Sequence, residues 1–181
     1  PKNSGGCIVY DRRATYASIL AGRERPYSFG EEFDDWCAML QKYDTSIFTI
    51  TRAEWLEGVD ADFFVASLLS DGAAILKKAE AGKKVLFLGQ ANLLPEEIKE
   101  YCRLETRETV FSEHLQNTVE FSERFARLVN ASGCKTTNVA HSLLAGDSLE
   151  TLIRRGGYAV FAKYKGGNIW FWETPEWGTK K

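Results

Sequence analysis

The chain has 181 residues, 44% apolar and 27% charged, which suits one domain able to bury a substantial core. A net charge of −2 leaves no basic footprint for nucleic acid. No apolar run approaches the roughly 20 residues that span a bilayer, and no secretory leader is visible.

The chain begins at Pro1, and its single methionine is Met39. It reads as a processed product or as a piece of a longer protein, with one domain over residues 1–181 and a core over about 7–173. After a loose lead-in, Cys7–Asp11 reads as a first strand. Residues 14–30 hold a stretch of helical character and then a loop. Glu31–Lys42 reads as an amphipathic helix, because Phe33, Trp36, Cys37 and Leu40 recur at helical spacing. Ser46–Ile50 is a second strand, Ala53–Leu56 a short helix or turn, and Asp62–Leu69 a third strand. Ser70-Asp71-Gly72 caps the next helix, which Gly82 closes.

The central strand is Lys83–Leu88, a continuous apolar run that stops at Gly89. Continuous rather than alternating apolar residues mark a parallel strand buried on both faces. Leu94–Tyr101 is a helix with Pro95 in its first turn. Residues 102–111 allow an edge strand, and His114–Val129 reads as the longest helix. Residues 134–148 read as loop and Leu149–Arg154 as a turn of helix. Tyr158–Glu173 reads as two strands about Gly166-Gly167, the strongest hairpin signal in the chain. Alternating strands and helices closed by a hairpin imply an α/β fold of three layers, α/β/α. Its sheet is mostly parallel, with a C-terminal antiparallel hairpin at one edge.

In such a sheet ligands meet the carboxyl ends of the strands. The loops expected there are Asp11-Arg12-Arg13, Thr51-Arg52, Ser67 to Asp71 and Gly89-Gln90-Ala91-Asn92, and the ligand-binding candidates are Asp11, Arg12, Arg13, Gln90, Asn92 and, farther along, His141. An acid, guanidinium groups and amides together suit a small polar or anionic ligand, or a hydrolase site of unobvious mechanism; the competing account makes them helix caps and solvated turn residues. Trp170 and Trp172 fall on one face of the last strand. Exposed, that face would stack on a sugar or a partner protein; packed, it is core or an interdomain seam, which we favour.

The chain has no Gly-x-Gly-x-x-Gly, no phosphate loop and no Gly-x-Ser-x-Gly elbow, so nucleotide, flavin and elbow-type hydrolase chemistry are disfavoured and no cofactor is expected. Its two histidines, His114 and His141, suit surface or capping positions, and no metal site stands out. Cys7, Cys37, Cys102 and Cys134 have neither zinc-ligand nor disulfide-scaffold spacing, and Cys7 and Cys37 read as buried thiols. Asn130-Ala131-Ser132 matches an N-glycosylation acceptor, which matters only in a secreted eukaryotic setting.

Three segments together resemble the class I glutamine amidotransferase-like superfamily, in its non-catalytic branch. Residues 71–88 resemble its helix–glycine–strand step, Val139–Gly146 its His-Pro-(Leu/Ile)-x-x-Gly loop, and Gly156–Trp172 its closing hairpin. The resemblance implies a flavodoxin-like sheet and an accessory role beside a carbohydrate-active enzyme such as a glycoside hydrolase barrel, in assembly, as a homo-oligomer or against other domains of a parent protein. It also implies an extracellular or periplasmic setting. The catalytic branch carries a cysteine after the central strand; here Gln90-Ala91-Asn92 stand there, and His141 is followed by Ser142 and Leu143 rather than a glutamate. Glutaminase activity is therefore not expected.

Overall fold

Four short apolar segments lie side by side, all parallel, in the computed structural model. They are β1 (Gly6–Val9), β2 (Phe48–Ile50), β3 (Phe63–Ala66) and β4 (Lys84–Leu88), in the order β2-β1-β3-β4. The structure describes residues 5–9, 38–43, 46–66, 72–89, 91, 94–108, 120–128, 142–155 and 157–173. The helices described are residues 38–43, a 3-10 helix at Ala53–Gly58, α1 (Ala73–Glu80), α2 (Glu96–Cys102) and α3 (Glu123–Ala126).

The centre is buried from both sides, as the continuous apolar run demands. One face gives Cys7, Val9, Phe64, Val85 and Phe87 to a large core, completed by Ile75 and Ala79 of α1 and Ile98 and Cys102 of α2. The alternate residues Ile8, Val65 and Leu88 point the other way, into a smaller cluster with Ile47, Leu40 and Trp172. Helices therefore lie on both faces of the sheet, giving the three-layer α/β/α architecture.

The sheet continues through β10 (Ile169–Trp172), β9 (Tyr158–Tyr164), β7 (Ser142–Ala145) and β5 (Glu105–Glu108). β8 (Leu149–Arg155) and β6 (Glu120–Phe121) branch from β9. The C-terminal hairpin forms as expected, but not at an edge. β10 lies inside the sheet, parallel to β4 and antiparallel to β9, and Phe87 stacks on Phe171 with centroids 5.6 Å apart. The hairpin is thus the hinge between a parallel half and an antiparallel half. β5, at the end of the strand path, is the charged run Glu105-Thr106-Arg107-Glu108, a sequence that discourages pairing with another chain.

Three local expectations are corrected. Leu149–Arg154 is not helical: it pairs with β9 from Leu149↔Tyr164 to Arg155↔Tyr158, with irregular register around Ile153. The helix expected over His114–Val129 is replaced, where described, by a strand at Glu120–Phe121 paired with β8 and the single turn α3. Ser122 caps that turn by accepting from the Phe125 N–H, so it starts the helix rather than sitting inside one. The expected loop at 134–148 contains β7 where described. The caps also differ: Gly72 is the N-cap of α1 without a side-chain bond, and Pro95 is the N-cap of α2 rather than a member of its first turn.

Both long helices end in the same device. After α1 the Gly82 N–H donates to Ala79 and the Lys83 N–H to Lys78, with Gly82 at φ 84°. After α2 the Arg103 N–H donates to Glu100 and the Leu104 N–H to Lys99, with Arg103 at φ 52°. This termination needs a left-handed residue, which costs glycine nothing and a side-chain-bearing residue about 1 kcal/mol. Urea unfolding should show Gly82→Ala losing about 1 kcal/mol and Arg103→Gly gaining up to about that much. Phe64→Ala, which empties a fully buried position on β3, should lose about 3–5 kcal/mol in the same assay.

Candidate functional site at the carboxyl edge

The order β2-β1-β3-β4 fixes where a ligand would sit. The chain leaves β1 toward β2 on one side, then returns across β1 to β3 and β4 on the other. The crevice at that reversal opens at the carboxyl ends of β1 and β3. β10, parallel to β4, brings its own carboxyl end to the same edge.

The opposite, amino edge is closed by short connections. Asn168 accepts from the Val85 N–H at 2.9 Å and its Nδ2 donates to the Gly82 carbonyl at 3.1 Å. Lys163 Nζ donates to the Gly167 and Tyr164 carbonyls, and Lys83 reaches Asp60 at 3.2 Å. These contacts tie the tight turns before β4 and between β9 and β10 to one another.

At the carboxyl edge β4 ends in Gly89, at φ 131°, whose N–H donates to the Trp172 carbonyl at 3.0 Å. The chain then turns through Ala91, which is buried, toward α2. Gly72 packs at the start of α1, where an added Cβ would come within 2.5 Å of Pro95 Cβ, so the two helices begin in close contact. After β10, Glu173 donates its N–H to the Val160 carbonyl at 2.8 Å, and the residue is 7% exposed. Burying a charge is costly unless it is paired, so a glutamate so placed requires partners. Sequence reading missed Glu173 as a site candidate, yet a signal existed: Ile169, Phe171 and Glu173 share one phase of the strand, and the first two point into the core.

At β2 the strand is followed by Thr51, Arg52 and the 3-10 helix. Ala53 and Leu56 are buried and hold the turn down, which leaves Arg52, Glu54 and Trp55 at the surface. The Arg52 guanidinium lies 5.6 Å from the centroid of the Trp55 ring and 3.6 Å from Glu54.

Asp11, Arg12, Arg13, Gln90, Asn92 and His141 lie outside the described residues. Trp170 and Trp172 alternate with buried Ile169 and Phe171, as period two requires. Both are half-buried. Trp172 packs against the smaller core cluster and lies 4.7 Å from Phe161, and Lys163 Nζ sits 5.5 Å from the Trp170 ring. Among the described residues no group of three His, Cys, Asp or Glu side chains is placed to hold a metal ion, and no helix is long and apolar enough to cross a membrane.

The thiols of Cys7 and Cys102 are buried and unbridged. Burial pushes both from the usual 9.0 up to about 12, slightly opposed at Cys7 by the Lys78 charge. A thiol held protonated is a weak nucleophile. Native protein at pH 8 should therefore leave Cys7 and Cys102 unlabelled by iodoacetamide, with both labelled after unfolding, as read by peptide mass spectrometry. The same shift makes stability pH-dependent in a defined direction. The unfolded chain ionises these thiols near pH 9 and the folded one near 12, so their contribution is complete below pH 9 and is lost as the pH climbs from 9 to 12.

No protein-family model matches the chain, and no curated protein matches it. Solved structures do. A ThuA-like protein from Bacteroides uniformis ATCC 8492 superposes with a TM-score of 0.62 at 11% identity, covering 96% of this chain and 82% of that one. The cold-adapted β-galactosidase of Rahnella sp. R3 superposes with a TM-score of 0.57 at 14% identity, covering 93% of this chain and 28% of that one. At such identities the likeness is one of fold.

Proposed function

We propose that this chain is a non-catalytic accessory domain of the glutamine amidotransferase-like kind, serving assembly or interaction within a larger, carbohydrate-active protein. The observation that carries the reading is the β-galactosidase match. Nearly the whole of this chain corresponds to a little over a quarter of that enzyme, so the same fold serves there as one part of a longer chain. The sequence after β4 adds support: Gly89-Gln90-Ala91-Asn92 holds no cysteine.

On this reading residues 1–181 act as one unit whose partner is a second copy or another domain of the parent protein. Light scattering on the isolated chain at physiological salt tests it. The expected result is a dimer or trimer of the 20.4 kDa chain. A monomer, combined with unchanged assembly and activity of the parent protein after removal of the domain, would sink the reading.

A second reading is favoured by the strand order: a small polar ligand at the carboxyl edge, held by Asp11, Arg12, Arg13, Gln90, Asn92 and His141. A ligand that binds only the folded state raises the melting temperature by mass action. Screening organic acids, sugars and nucleotides should yield a shift that Arg13→Ala and Asn92→Ala each remove. No shift with any of them counts against it.

A further inference from the structure

We draw no further inference here: the strongest candidate, the half-buried aromatic face that Phe161, Trp170 and Trp172 form on β9 and β10, carries none, because nothing in the structure shows what covers it.

Discussion

Burial of β4 from both faces is the constraint on which the rest of the molecule depends. A strand between two parallel neighbours has every backbone group engaged and no face left for water. Val85 and Phe87 must meet one layer of helices, and Leu86 and Leu88 another. The layers follow: α1 and α2 on one side, residues 38–43 and α3 on the other. β10 completes the environment by lying parallel to β4 and setting Phe171 against Phe87. A charge introduced at Val85 or Phe87 would meet no water on either side.

That constraint also divides the two edges of the parallel half by role. The amino edge is stitched by lysine and asparagine side chains reaching backbone carbonyls, across turns only a few residues long. Such turns leave little room for variation. The carboxyl edge receives Gly89 in a conformation that side chains resist, the buried Glu173, and the surface trio at the end of β2. Chemistry-bearing residues accumulate where the scaffold is satisfied and the loops are free to differ. The same geometry is shared with a ThuA-like protein and with part of a β-galactosidase at 11% and 14% identity. Many sequences meet a demand for apolar strands and covering helices, which explains why the fold persists where sequence similarity has faded.

Sequence legibility followed the kind of burial. Strands β1, β3 and β4 were readable because double-sided burial leaves a continuous apolar run, and β2, at the end of the strand path with Thr49 exposed, because it is rich in β-branched and aromatic residues. The closing hairpin was readable because Lys165-Gly166-Gly167-Asn168 is turn chemistry between two aromatic-rich segments. Ending α1 at Gly82 was readable for a steric reason. Ending α2 at Arg103 was not, since an arginine in the left-handed region carries no local signal. His114–Val129 misled because Leu115, Val119, Ser122, Phe125, Ala126 and Val129 recur at helical spacing. Phe121 and Phe125 do stack, at 6.0 Å, but across a strand-to-helix junction rather than along one helix. For the site, the parallel strand order pointed to the carboxyl edge. The buried phase of Glu173 and the exposure of Trp55 emerged only with the packing.

By itself, then, the sequence determined the α/β class, the buried central strand and the helices and turns on either side of it, because burial pattern and turn chemistry are local properties. The tertiary structure decided the strand nature of Leu149–Arg155, the interior position of β10 and the neighbours of each chemical group at the carboxyl edge. Those depend on hydrogen bonds between residues distant in the chain. β8 is a strand only because β9 is there to pair with it, and β10 is interior only because β4 offers it a parallel edge.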